Sequence, residues 1–291
     1  MIHGDAAFRI GKTHTVCEDY AIARTDDQTA RASVWLSDGC SSSPHTDIGA
    51  RLLVHTAAAR VGEFRAVATG EASCRVASLD GLIATIMMHA VTGVEHTGLP
   101  TDCLDATLLG LVAGDTGAVH AILYGDGAVI WGLRDGSRIV YRSRYPASFP
   151  FYPAYVGDAD RRARWGRTPD NGQTLTRAVL EPDGAVCDEE TSCPDEGSHL
   201  LSHSWDDLCW AAVVSDGIES FQQVGNGTGR AAASVGYLDV LRELTAFKNF
   251  RGEFARRRVR AFAKDADQRG WHHNDDLSIA ALYFGDGNPT E

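Results

Sequence analysis

Two rhythms of apolar positions run along this chain, one of period two or unbroken, the other close to 3.6. Residues Tyr20 to Arg24 and Ala32 to Ser37 read as adjacent strands joined by the polar turn Asp26-Asp27-Gln28. A helix is expected from about Asp47 to Phe64, with Ile48, Leu52 and Val61 on one side and Thr46 or Asp47 as its cap. A second is expected from about Val76 to Val91, with the stripe Val76, Leu79, Ile83, Ile86, Met87 and Ala90. Strand-like runs follow at Ala106 to Val112, Val119 to Tyr124 and Ala128 to Trp131, separated by Gly-Asp turns as in an antiparallel meander.

From about 143 to 206 the rhythm fails. Most of the prolines fall there, with several Gly and Asp residues, and the stretch reads as an irregular insertion or a surface flap. Regularity resumes with a strand at Leu208 to Val214, helices near Ala231 to Phe247 and Glu253 to Ala266, and a closing strand at Leu277 to Phe284. Strands in runs with helices grouped between them indicate an α+β fold rather than alternating βαβ units. No linker or repeat divides the chain, so residues 1–291 are expected to form a single domain.

Composition narrows the class. Hydrophobic residues make up 44% and charged residues 23%, as in ordinary globular proteins. The net charge of -12 runs against nucleic-acid binding, which favours Lys and Arg, and fits either a plain solvated surface or carboxylates gathered around hard cations. The seven cysteines are scattered and include no C-x-x-C pair, which argues against a disulfide framework or a zinc knuckle and for free thiols in the cytoplasm. The opening residues lack the apolar stretch of a secretory signal, and the run Gly81 to Val94 is too short to span a bilayer, so no membrane association is expected.

The chemistry lies in acidic residues at strand ends. Apolar runs close in Ser37-Asp38-Gly39 and Ser215-Asp216-Gly217, and more loosely in Gly125-Asp126-Gly127; Glu18-Asp19 precedes an early strand and Asp275-Asp276 opens the last. Any one Asp-Gly is ordinary turn chemistry. Held rigidly at strand ends, however, several converging carboxylates repel one another unless cations neutralise them. All-oxygen ligation suits Mg²⁺ or Mn²⁺ rather than zinc.

In order and context these motifs resemble the type 2C, metal-dependent protein phosphatase family (the PPM type), including its compact bacterial members. The opening motif appears as Gly11-Lys12-Thr13-His14-Thr15-Val16-Cys17-Glu18-Asp19, the first Asp-Gly strand as Val34 to Gly39, and the Thr-bearing strand as Ala106-Thr107-Leu108. Gly125-Asp126, Ser215-Asp216-Gly217 and Asp275-Asp276-Leu277-Ser278 complete the series. The resemblance implies two antiparallel β-sheets packed as a sandwich with helices on both outer faces (α-β-β-α). It also implies two Mn²⁺ or Mg²⁺ ions: Asp38 would bridge them, Gly39 would add its carbonyl, and Asp216 and Asp275 would complete one site and Glu18 the other. Asp19 would order water nearby, and Asp126 would help hold a third, weaker metal. The reaction implied is hydrolysis of phosphate monoesters by a metal-activated water, on phosphoserine or phosphothreonine in a protein partner, with a cognate Ser/Thr kinase pathway upstream.

Some residues depart from the family pattern. His14 stands where the phosphate-clamping Arg belongs and is the candidate to replace it, without the bidentate fork. Ser41-Ser42 replaces Gly-Gly, Cys40 stands where some members carry a His, and Asp276 replaces an Asn. The metal-ligand set is kept while the phosphate-handling groups differ, which leaves open a phosphatase-like regulatory module without turnover, or a hydrolase of a small phosphorylated metabolite. If His14 does not clamp phosphate, His272, His273 and Arg51 are the next candidates. His199 and His203 have helical i, i+4 spacing but no acidic motif beside them. The Gly225–Gly229 run lacks the ending of a phosphate loop and reads as a connector, and Arg256, Arg257, Arg258, Arg260 and Lys264 form a basic helix face.

Overall fold

The structure, a computed structural model, describes residues 2–26, 31–64, 78–114, 117–146, 150–167, 172–192, 198–223 and 233–285. In chain order its first elements are β1 (Ile2–Arg9), β2 (Tyr20–Asp26), β3 (Arg31–Ser37), α1 (Thr46–Ala59) and α2 (Leu79–Thr97). Then come β4 (Leu108–Ala113), β5 (Ala118–Tyr124), β6 (Gly127–Leu133), β7 (Arg138–Arg144), α3 (Ala159–Trp165) and β8 (Thr174–Leu180). The rest are β9 (Val186–Ser192), β10 (Ser198–Ser204), β11 (Leu208–Val214), β12 (Phe221–Gln223), β13 (Ala233–Ser234), α4 (Tyr237–Leu244), α5 (Phe254–Gln268), β14 (Trp271–His273) and β15 (Leu277–Phe284).

Two antiparallel sheets form the sandwich, one in the order β1-β15-β11-β6-β7-β8-β9 and the other β10-β5-β4-β3-β2, with a small third sheet β13-β12-β14 beside them. Alternation along each strand explains the three cores. Val34, Leu36, Leu109, Leu111, Ala121 and Leu123 face Val129, Trp131, Ala211, Val213, Ala280 and Leu282 between the sheets. Their neighbours point outward: Trp35, Leu108 and Ile122 meet Leu53, Val54, Ile83 and Ile86 of α1 and α2. On the other outer face Ile130, Ala212, Val214 and Ile279 meet Phe254, Val259 and Phe262 of α5. Strands buried on both sides are apolar at nearly every position, which is why β4, β5, β6, β11 and β15 stand out in the sequence as apolar runs, interrupted by a polar side chain only at His120 in β5 and Ser278 in β15. Truncating Phe262 to Ala would cost about 3–5 kcal/mol, through lost burial plus a cavity.

Several expectations shift. The second helix starts at Leu79 and continues to Thr97, capped by Ser78, whose side chain accepts from Gly81 N; the expected stripe member Val76 lies outside the described residues, as do Asp27 and Gln28. The helix expected at Ala231 to Phe247 is only Tyr237–Leu244. The stretch 143–206 is less irregular than the rhythm suggests. It contributes α3 and three strands: β8 and β9 extend the larger sheet, and β10 edges the smaller one. β9 is exposed along its whole length and carries Asp188, Glu189 and Glu190; such polar, charged edge strands leave no apolar period to read and resist edge-to-edge pairing. His199 and His203 sit on β10, so their spacing is a strand spacing and not a helical chelate. The Gly225–Gly229 run lies outside the described residues. Among the described residues, no helix is long and apolar enough to cross a membrane.

Candidate active site

At one end of the sandwich the strand-end motifs meet. Asp38 follows β3, Asp126 sits between β5 and β6, Asp216 follows β11, and Asp275 precedes β15, and all four line one cavity of about 510 Å³ with Gly39, Ser41, Ser42 and Thr107. Backbone bonding fixes these positions. Asp38 N donates to Thr107 Oγ1 at 3.0 Å, Thr107 N donates back to Asp38 O at 2.9 Å, and Ser37 Oγ donates to Thr107 O at 2.5 Å. Gly39 forms an isolated bridge with Ala106, continuing the β3–β4 edge toward the cavity. The Thr of the Ala106-Thr107-Leu108 motif therefore acts as a brace for the Asp38 turn.

Beneath the cavity lies Asp19, 1% exposed. Its Oδ2 accepts from Ser215 Oγ at 2.8 Å, and Ser215 Oγ also accepts from Ser278 N at 3.0 Å, which ties the opening motif to β11 and β15. Asp38 lies within hydrogen-bonding reach of both Asp19 and Asp216. Burial pushes the Asp19 carboxyl up to about 7 and the Asp216 carboxyl up to about 6. Burial, and then the charges of Asp19, Asp216 and Asp275, raise Asp38 well above the ordinary carboxylate range. Asp126 is raised by burial and by Asp216, and burial also raises Asp275 and Glu18. These carboxylates are held where their charged forms are costly.

Two glycines permit this convergence. A Cβ on Gly11 would lie 2.3 Å from Asn274 O, and one on Gly217 would lie 1.8 Å from Asp276 O, so both motif backbones pass too close to residues 274–276 for any side chain. Asp276 exploits the closeness. Almost fully buried, it accepts from Gly11 N at 2.7 Å and Glu18 N at 2.6 Å, two amides converging on one carboxylate. The departure from Asn thus has a structural use, because both oxygens of a carboxylate can accept. Glu18 itself accepts from Thr46 Oγ1 at 3.1 Å, at the start of α1.

The expected site residues do not all stand equally. Asp38, Gly39, Asp126, Asp216 and Asp275 share the cavity, Asp19 touches Asp38 from below, and Glu18 lies on the His14 side. His14 is drawn to the acids: Nδ1 lies 3.2 Å from Asp276 and 4.0 Å from Glu18, and Nε2 lies 3.6 Å from Asp275. Burial opposes its charged form, yet Asp276, Asp275 and Glu18 together hold it above the ordinary histidine value. Arg51 belongs to a different groove, over the Tyr20 ring. His273 stacks on Phe221 and pairs with Asp275 O, while His272 contacts Lys12.

Arg144 was missed. It ends β7 on the cavity wall, 58% exposed, with Nε 3.3 Å from Glu219 Oε2. Arg142 also reaches Glu219, at 3.6 Å. No motif marks Arg144; only its position at the end of a strand next to the Gly125-Asp126-Gly127 turn could have pointed to it. The segment 143–206 also braces that turn. Ser143 Oγ donates to Gly125 O at 2.7 Å and accepts from Gln173 Nε2 at 2.6 Å, and Gln173 Oε1 pairs with His199 Nε2 at 2.9 Å.

Among the described residues, no group of three or more His, Cys, Asp or Glu side chains is already arranged to hold an ion. Against that stand two buried carboxylate oxygens, Asp19 Oδ1 and Asp216 Oδ1, without a hydrogen-bond partner. Unpaired anionic oxygens at this depth are costly, and hard cations that keep part of their water shell need only one or two carboxylates each. The residues fit such ions in chemistry, with Asp38, Asp126, Asp216 and Asp275 of the shared cavity as oxygen donors.

Residues 10–145 match the family model described as Protein phosphatase 2C. Among solved structures, the chain is similar to the serine/threonine phosphatase Stp1 from Staphylococcus aureus, at 11% identity and a TM-score of 0.52, covering 98% of this chain and 96% of that one. It is similar to the Mycobacterium tuberculosis serine/threonine phosphatase PstP/Ppp at 13% identity and a TM-score of 0.50, over 98% and 99%. A C. elegans sex determining protein is similar at 14% identity and a TM-score of 0.54, over 97% of this chain and 64% of that one. At these identities the likeness is one of fold. No curated protein sequence matches the chain.

Proposed function

We propose, from the match of residues 10–145 to the Protein phosphatase 2C model, that the chain is a type 2C protein phosphatase and that it hydrolyses phosphate monoesters, with phosphoserine and phosphothreonine of a partner protein as substrates. The observation that carries this reading is the convergence of Asp38, Asp126, Asp216 and Asp275 on one cavity above Asp19. Asp38, the Gly39 carbonyl, Glu18, Asp216 and Asp275 would hold two Mn²⁺ or Mg²⁺ ions, and Asp126 would help hold a third. When bound, the ions would supply the positive charge that acidifies an attacking water and offsets charge building on the phosphoryl group.

The chain's own residues supply the rest. Thr107 and Ser215 fix the carboxylates in place, so little reorganisation accompanies the reaction. Asp19, with its pKa near neutrality, can hold or release a proton beside Asp38. Arg144 on the cavity wall, and His14 beside Asp275, would serve as donors for phosphoryl oxygens, Arg144 with the planar fork that His14 lacks.

We place the protein in the cytoplasm, opposite a cognate Ser/Thr kinase; the free thiols of Cys17, Cys40, Cys103, Cys187 and Cys209 support a reducing compartment. One observation favours the rival of a module without turnover: His14 is pulled onto Asp275 and Asp276, where it competes with a cation for Asp275. Release of phosphate from a phosphothreonine peptide, assayed with Mn²⁺ and then with chelator, separates the two. Turnover that chelator abolishes supports the enzyme; Mn²⁺ binding without turnover of any phosphomonoester supports the module.

A further inference from the structure

Away from the acidic cavity, the sandwich carries a second and larger depression, of about 860 Å³. It follows the side where the two edge strands come together: β1 ends the larger sheet and β2 ends the smaller one, and among the described residues neither has a strand partner on its outer side. Gly4 lets them approach, since a Cβ there would sit 3.3 Å from Ala23 Cβ. α1 and α5 form the banks.

The charge of this groove is opposite to that of the protein. On a chain of net charge -12, four arginines line it: Arg9 on β1, Arg51 on α1, and Arg256 and Arg260 one turn apart on α5. The basic helix face read from the sequence divides here. Arg258 turns inward, 8% exposed, toward Asp265, and Arg257 goes to Asn249, which leaves Arg256 and Arg260 facing the groove. Among the described residues, no carboxylate lies within ion-pair distance of Arg9, Arg51 or Arg260, whereas Arg256 pairs with Glu253 at 2.6 Å. The groove's own acid, Asp5, is spent on the first turn of α5, where its Oδ2 accepts from Arg256 N at 3.0 Å. The floor is apolar and aromatic: Phe8, 40% exposed, packs on Tyr20 at 5.3 Å, and Arg51 lies over the Tyr20 ring at 4.6 Å.

We infer that this groove docks an extended, acidic segment of a partner polypeptide. Arginines that face one another across an otherwise acidic molecule attract acidic side chains. Unpaired strand edges offer backbone donors and acceptors that only another polypeptide can match along its length. The exposed Phe8–Tyr20 pair gives alternate apolar side chains a surface to lie on. Chain connectivity gives the groove a direction. Arg9 and Tyr20 bracket the loop 10–19 that carries His14, Glu18 and Asp19, so a segment docked here leads toward the acidic cavity.

The test needs no catalysis, so it stands apart from the proposed phosphatase reading. A fluorescein-labelled, unphosphorylated peptide of alternating Glu and Val is titrated with the full chain by anisotropy. Binding that weakens as salt rises, and that falls at least about tenfold in Arg256→Glu/Arg260→Glu, is expected. Arg51→Glu, exposed on a different helix, should also weaken it, which guards against a folding defect in the double variant; circular dichroism and the melting temperature check each. N-methylation of alternate peptide residues should abolish strand addition. Equal binding of a control peptide of alternating Lys and Val, unchanged affinity in both variants, indifference to N-methylation, or tighter binding of single-stranded RNA or phosphatidylserine vesicles than of the Glu-Val peptide would each overturn the inference.

Discussion

The floor and the rim of the acidic cavity are built in different ways. On the floor, bonds that include main-chain groups of other motifs hold three of the carboxylates: Asp38 by its exchange with Thr107, Asp19 through the Ser215 hydroxyl, which itself accepts from Ser278 N, and Asp276 by the amides of Gly11 and Glu18. On the rim, the two cations are placed by side-chain pairing alone, His14 against Asp275 and Asp276, and Arg144 against Glu219. Backbone placement is rigid and tied to motif order, so it leaves a trace in the sequence. Rim pairing depends on a few side chains only, so the cations near the acids can come from different segments of the chain, as His14 and Arg144 do, without disturbing the floor. A floor that is preorganised and a rim that can be exchanged would allow the chemistry to persist as the substrate changes.

Changing the floor should give the largest effects, with opposite signs in activity and stability. Asp38→Asn is expected to lower kcat more than about 100-fold, a loss larger than that usual for residues that merely orient a ligand. In chelator the same variant should melt at a higher temperature than the wild type, because it removes a carboxyl whose ionised form is opposed by burial and by Asp19 and Asp216 in the folded state alone. A lower melting temperature in chelator would break the comparison on the floor side.

Asp276→Asn tests the backbone anchoring next. An amide can accept from Gly11 N or Glu18 N with its one oxygen, but its NH₂ group then faces the other amide. A loss of about 1–3 kcal/mol is expected by denaturant titration, the cost of one unsatisfied buried donor. An unchanged midpoint would mean that the carboxylate is not what joins the opening motif to the last strand.

The rim variants should act on KM, and more gently. Arg144→Ala is expected to raise KM for a phosphopeptide about fivefold, roughly 1 kcal/mol for a half-exposed charged contact, with kcat nearly unchanged. His14→Ala should raise KM by less, and only where His14 is charged. Its value is raised, so the charged form extends to higher pH than for a free histidine, and the benefit disappears once pH rises past that raised value. Equal KM for the wild type and both variants from about pH 6 to 9 would remove both residues from phosphate binding.

How far the sequence could be read follows the same division. β15 runs from Leu277 to Phe284 and β11 from Leu208 to Val214, as the apolar runs indicate, because strands buried on both faces cannot hide. Asp38, Asp216 and Asp275 were legible from motif order. Three things were not. β8 to β10 carry polar edges and lie among prolines, so no rhythm marks them, yet Gln173 and His199 from that stretch brace the Asp126 turn. Arg144 carries no motif. The role of Asp276 depends on amides more than 250 residues away in the chain, at sequence separations of 265 and 258. Spacing cannot reveal a contact made only by folding.

The central claim is that these carboxylates are gathered for divalent cations, and the melting temperature as a function of pH tests it most directly. In chelator, Asp216 and Asp19 keep their protons to about 6 and about 7, while in the unfolded chain they lose them near 3.8. The folded state therefore binds more protons across that window, and stability should fall as pH rises from near 3.8 through 6 to 7. Millimolar Mn²⁺ should restore the lost stability near neutral pH, since an ion bound to the folded state alone stabilises it by mass action. A melting temperature in chelator that does not fall across this window, or one that Mn²⁺ leaves unchanged at neutral pH, would contradict the account.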